Sequence, residues 1–202
     1  MPPLPPITQA LILINVAIFC LDYFVGSWFT QLFALWPLGG GFLPWQPVSY
    51  AFLHGSIGHL FFNMLGLWMF GSELEQVWGP RRFIQFFAAG VLTAAAAQLL
   101  MSALVGSPNP TVGASGGLFA LLLGFGMLFP NRVIMPLFPP IPMKARTFVM
   151  VFGGIELVFG LMNPGGGGMA HFAHLGGLLG GWLMLRYWRG QPPFGGRGPR
   201  RR

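Results

Sequence analysis

The sequence predicts an all-α integral membrane protein, a bundle of six transmembrane helices, and three observations carry that prediction. Only 7% of its 202 residues are charged while 54% are hydrophobic, whereas a water-exposed surface takes roughly a quarter charged residues. The apolar residues gather into runs close to the ~20 residues that cross a hydrocarbon core of about 30 Å. The basic residues fall only in alternate connections between those runs, as they do when Lys and Arg collect on one side of a membrane.

The first run covers residues 7–25. No Lys or Arg precedes it and no small-residue cleavage motif follows it, so it reads as a retained helix and not as a secretory signal. It holds Cys20, the one cysteine of the chain. A lone cysteine excludes an internal disulfide framework and a thiolate metal cluster, and reads as a small buried apolar side chain. Residues 26–56 carry no charge but include Trp28, Phe29, Phe33, Trp36, Phe42, Trp45, Tyr50 and Phe52. Such a segment belongs in the outer headgroup zone, as a membrane-embedded loop between helices one and two. The second and third runs cover 57–77 and 83–105. The fourth (113–129) and fifth (148–162) are short, and the sixth covers 169–187. A glycine run at 165–168 before the last helix is permissive enough to act as a gate. Residues 1–190 read as one domain, and the Pro, Gly and Arg tail at 191–202 reads as disordered.

Arg81 and Arg82 follow the second run; Arg132, Lys144 and Arg146 follow the fourth; Arg186, Arg189, Arg197, Arg200, Arg201 and Arg202 follow or end the sixth. Six crossings with this pattern put both termini in the cytoplasm, and the lack of a transit peptide with the minimal six-helix size favours a prokaryotic plasma membrane. The formal net charge of +7 comes without an aromatic stacking platform or a nucleic-acid motif. Topology and contact with anionic lipid account for it, and no nucleic-acid partner is expected.

Polar side chains inside a bilayer are costly and each needs an account. His59 and Asn63 lie four apart, on one face of helix two, and both can donate to one point. Helix four opens with Gly113-Ala114-Ser115-Gly116-Gly117, a hydroxyl among glycines that let another backbone come close. Helix six opens with His171-Phe172-Ala173-His174, and its Gly177 and Gly181 form a small-residue face complementary to those glycines. Helices two, four and six all enter from the outer side, so His59, Asn63, Ser115 and His174 converge at one shallow depth. A serine beside a neutral histidine is an activated nucleophile with its base, and two further donors suit an oxyanion hole. A cavity lined by His54, Ser56 and His171 would admit water. Glu73 and Glu75 read as partners of backbone donors or basic neighbours. Glu156 admits two readings, a third triad member orienting His174 or an interhelical structural group, and is assigned the second with Gln98.

At this point the sequence resembles the rhomboid family of intramembrane serine proteases, over nearly the whole chain from Trp45 to Gly181. The matching features are Trp45 followed by His54, the His59 and Asn63 pair, Glu75 with Gly79, Gly113-Ala114-Ser115-Gly116, and Ala173-His174-Leu175-Gly176-Gly177 with Gly181. The resemblance implies a Ser115 nucleophile and a His174 general base, a dyad with no acidic third member and no cofactor or metal. It implies an oxyanion hole from the Ser115 N–H, His59 and Asn63, with His54, Phe119 and His171 in supporting or water-retaining roles. The family often has Tyr where Phe119 stands, so stacking on the imidazole survives without the hydroxyl. It usually has Arg where Gln46 stands, which bears on how the outer loop is anchored. Substrates implied are membrane proteins cut in or near a transmembrane segment, at a small residue in an unwound stretch, with no obligate protein partner.

Two other classes compete. A His-based metal- or haem-binding membrane protein would use His54, His59, His171 and His174, but no carboxylate or cysteine stands beside them in sequence. A non-catalytic binder of transmembrane helices would be expected to lack Ser115 or His174. The chain has neither a zinc-protease H-E-x-x-H motif nor an aspartate pair, since Asp22 is its sole Asp.

Overall fold

The computed structural model describes residues 4–26, 28–137, 140–163 and 170–195. Helix α1 (Pro6–Val25) starts with proline at its first position, where the missing N–H costs nothing and φ is preset. Its next two amides, of Ile7 and Thr8, are received by the Glu75 carboxylate at 2.9 and 2.7 Å. Cys20 is exposed, which corrects the expectation of a buried thiol: it lies on the outward face of α1, not toward the bundle.

The following segment holds two short helices, α2 (Trp28–Phe33) and α3 (Gln46–Ser49), and a 3₁₀ turn at Tyr50–Phe52. Gln46 is fully buried. Its Oε1 accepts from Trp36 N at 3.1 Å, and its Nε2 donates to Leu32 O and Gly41 O, each at 3.3 Å. Anchoring of this loop therefore does not need an arginine at 46. Trp45 Nε1 and Ser49 Oγ donate to Leu32 O and Phe33 O.

Helix α4 (Ile57–Gly66) is capped by Ser56, whose hydroxyl accepts from His59 N at 3.1 Å, the usual service of an N-cap serine. It passes through a π-helical turn, Leu67–Gly71, into α5 (Ser72–Val105). The 49-residue run from Ile57 to Val105 is two helices joined at a kink. Gly79, at φ 75°, ψ 164°, adopts a conformation open in practice only to glycine, and Pro80 begins the second arm. The break falls between the second and third predicted runs, and the second arm starts three residues earlier than expected.

Helix α6 (Ser115–Leu128) is followed by a two-residue antiparallel pair, β1 (Val133–Ile134) and β2 (Met143–Lys144), then α7 (Ala145–Met162) and α8 (His171–Trp188). The pair is a small departure from an all-α chain. The molecule remains mostly helical, and α5, α6 and α8 pack together at its centre, with α1 and α7 outside them. Phe83, Phe86, Leu121 and Ala120 are fully buried there. Helix α7 instead exposes Met150, Val151, Ile155, Val158, Phe159 and Leu161, an apolar outer face suited to lipid. Among the described residues, Pro6–Val25, Ile57–Val105 and Ala145–Met162 are long and apolar enough to cross a membrane, and Ser115–Leu128 is a shorter apolar helix.

The expected gate at 165–168 lies outside the described residues, as does the tail from 196. Residues 191–195 turn back on α8, where Arg186 Nε donates to Pro192 O at 2.7 Å.

Candidate active site

Ser115 is the first residue of α6, and the backbone before it explains why. Gly113 stands at φ 127°, and its N–H donates to Tyr50 O at 2.9 Å, so the chain turns sharply into the helix. At a helix start the N–H groups have no intrahelical acceptor. The Ser115 amide therefore has no acceptor within α6. Its side chain faces His174, in the first turn of α8: Ser115 Oγ and His174 Nε2 are 2.8 Å apart. With the imidazole proton on Nδ1, the hydroxyl donates to Nε2.

Close approach of α6 and α8 makes this contact. A Cβ on Gly177 would collide with Gly116 O, and one on Gly181 would lie 3.1 Å from Ala120 Cα. Glycines at these positions let two backbones touch. Phe119, one turn along α6, stacks flat on the His174 ring, with centroids 4.3 Å apart and planes at 9°.

His59 and Asn63, from α4, line the same cavity of about 790 Å³ as Ser115 and His174. A Cβ added to Gly113 would lie 2.7 Å from His59 Nε2 and 3.6 Å from Ser115 Oγ, so the imidazole edge reaches the neighbourhood of the hydroxyl. Asn63 Nδ2 donates to His59 O at 2.8 Å, leaving its second amide hydrogen. Ser56 lines this cavity as expected, but His54 and His171 do not. His54 is buried behind His59, with ring centroids 5.0 Å apart. Burial, with the adjacent His59 ring, presses the His54 pKa down to about 4, so it is neutral at physiological pH. Gln98, read from sequence as structural, lies on the cavity wall; a lone amide in an alanine-rich helix was the signal available.

His171 turns the other way, to Glu156 on α7: His171 Nδ1 and Glu156 Oε2 are 2.6 Å apart. His174 Nδ1 lies 3.0 Å from the same oxygen, although its N–H direction falls outside hydrogen-bonding geometry. The histidines thus do have a carboxylate neighbour, brought from a helix the sequence order keeps apart. Among the described residues no group of three or more His, Cys, Asp or Glu side chains is arranged to hold a metal ion. A second cavity, of about 700 Å³, is walled by Leu65, Met69, Leu118, Phe119 and Phe152 and meets the first at Phe62, Asn63 and Ser115.

Ser115, His174, His59 and Asn63 thus come from three apolar helices to one cavity, the arrangement of a membrane-embedded helical bundle with a polar pocket. The Rhomboid domain profile matches residues 42–190, and the chain belongs to the rhomboid family. It is an integral membrane protein. Similar curated proteins are the Rhomboid protease GlpG of Klebsiella pneumoniae subsp. pneumoniae, 26% identical over 181 residues, and that of Yersinia pestis, 25% identical over 185 residues. The alignments take in 89% and 91% of this chain, and the chain spans 62% of the length of each relative.

Proposed function

We propose that the protein is an intramembrane serine endopeptidase working through a Ser115–His174 dyad. The observation that carries this reading is the 2.8 Å contact between Ser115 Oγ and His174 Nε2, in a cavity shared with His59 and Asn63. Ser115 Oγ attacks the scissile carbonyl carbon while His174 Nε2 takes its proton. The developing oxyanion is met by the Ser115 N–H and the side chains of His59 and Asn63, and each such donor is worth ~10²–10³ in rate. His174 then returns the proton to the departing amine, and water admitted through the cavity hydrolyses the acyl-enzyme by the same exchange.

The apolar cavity that meets Ser115 supports a substrate that arrives from lipid, a transmembrane segment of another protein. A helix shields its carbonyls, so cleavage takes place where the segment is locally unwound, at a small residue. Six crossings, with both termini cytoplasmic and the site opening outward, suit the arrangement of charge. Arg132 pairs with Glu73 at 2.8 Å, and Arg82 stacks over Trp188, so basic side chains cluster at the helix ends away from Ser115. The same residues suit contact with anionic lipid of a prokaryotic plasma membrane.

The test is cleavage of a panel of single-pass membrane substrates in liposomes, with fluorophosphonate labelling of Ser115 as a substrate-independent readout. Ser115→Ala and His174→Ala are expected to abolish both, and His171→Ala to retain most of the activity. Cleavage by folded Ser115→Ala protein would sink the dyad.

A further inference from the structure

We propose that Glu156 is a positioning residue for His174, giving this chain a third, acidic partner in its serine–histidine pair. The inference rests on the dyad reading above and extends it. Glu156 is mid-helix in α7 and buried, at 7% exposure. A carboxylate in such surroundings is costly unless partnered. Its partners are two imidazoles facing one oxygen: Oε2 lies 2.6 Å from His171 Nδ1 and 3.0 Å from His174 Nδ1.

The chemistry follows from which ring nitrogen each neighbour takes. His174 Nε2 faces Ser115 Oγ and must carry a lone pair to accept the serine proton. That requires the ring proton on Nδ1, the atom beside the carboxylate. A carboxylate only accepts from a neighbouring N–H, so it selects that tautomer, as metal- and base-orienting carboxylates do elsewhere. When Ser115 Oγ–H gives its proton to Nε2, the imidazolium keeps both protons and Glu156 takes none; its charge stabilises the cation. The 3.0 Å approach is off-axis at rest, and contacts of this kind tighten as the reaction proceeds. His171 holds the carboxylate from the other side, and Phe159, on the same helix as Glu156, stacks on the His171 ring at 5.8 Å.

Glu156→Leu keeps roughly the size but removes the acceptor oxygen, which Gln would retain in its carbonyl. With nothing to hold the proton on Nδ1, the ring takes the Nε2–H tautomer, which cannot accept from Ser115. The expected result is a fall in kcat of at least ~100-fold, smaller than the ~10⁴ of a fully buried triad because the resting contact is unaligned, with KM within about twofold, since Glu156 touches no reacting atom. Glu156→Asp, which keeps the charge, should recover part of the loss.

The deciding measurement is the tautomer of His174 by nitrogen NMR of ¹⁵N-histidine-labelled protein. There are four histidines, and a His174→Ala spectrum identifies the signal. Wild type should show the proton on Nδ1, and Glu156→Leu should move it to Nε2. A folded Glu156→Leu protein with wild-type kcat, or with the His174 proton still on Nδ1, overturns the proposal. Failure of the dyad itself looks different: folded Ser115→Ala protein would cleave substrate, whatever the tautomer of His174.

Discussion

Removing the Glu75 carboxylate should detach the first helix, and the size of the effect follows from three contacts. Glu75 Oε1 accepts from Ile7 N at 2.9 Å; its Oε2 accepts from Thr8 N at 2.7 Å and from Thr8 Oγ at 2.8 Å. The two amides belong to the first turn of α1, where no helical carbonyl is available, and Thr8 is fully buried. A net ~1 kcal/mol for each bond, with the cost of leaving buried donors unmet, puts Glu75→Ala at about 3–5 kcal/mol. Glu75→Gln separates hydrogen bonding from packing. Its one carbonyl oxygen can keep the Thr8 pair, leaving Ile7 N against an amide N–H, for a loss of about 1–2 kcal/mol.

Both variants can be unfolded in mixed micelles by rising detergent, followed by tryptophan fluorescence. Cys20, the single cysteine and exposed on α1, takes a spin label that reports directly whether that helix stays docked. Glu75→Ala should lower the unfolding midpoint well below Glu75→Gln and free the label. Equal losses in the two variants, or a label as immobile in Glu75→Ala as in the parent, would refute the anchoring role.

Gln46→Ala removes three loop hydrogen bonds and strands the amide of Trp36. A loss of about 2–3 kcal/mol is expected, read as faster proteolysis within residues 34–52, with Gln46→Glu failing to restore the two bonds that Nε2 donates. Gly177→Ala forces a methyl onto Gly116 O. It should cost about 1–3 kcal/mol as an overpacked contact and slow fluorophosphonate labelling of Ser115 at least tenfold, because relief of the clash separates α6 from α8; unchanged labelling would show that this packing does not set the pair.

The helical framework was legible because apolar run length reports membrane crossing directly. Even the kink at Gly79 was foreshadowed by the Gly79-Pro80 pair, though the start of the next helix at Pro80 was not. The β1 and β2 pairing escaped because two-residue strands have no periodicity to read. Ser115, His59, Asn63 and His174 could be named together from sequence because each falls within the first two turns of its helix, and the structure brings them around one cavity. Glu156 and Gln46 were harder for one shared reason. Their partners are set by the direction of a side chain across a helix interface or inside an irregular loop, and neither direction follows from spacing.

Helix starts reconcile what lipid forbids with what hydrolysis needs. The amides at a helix start have no internal acceptors, and within a bilayer such groups are tolerated only where protein or water meets them. Ser115 and His171 both stand at helix starts, and Ser115 borders the cavity of about 790 Å³. In the proposed reaction, water entering that cavity would meet the Ser115 end and would also be the reagent of hydrolysis. A serine two turns deeper in α6 would have its amide tied to a carbonyl four residues back. It could lie as close to an imidazole, yet it would lack both the free N–H for an oxyanion and the water to finish the reaction.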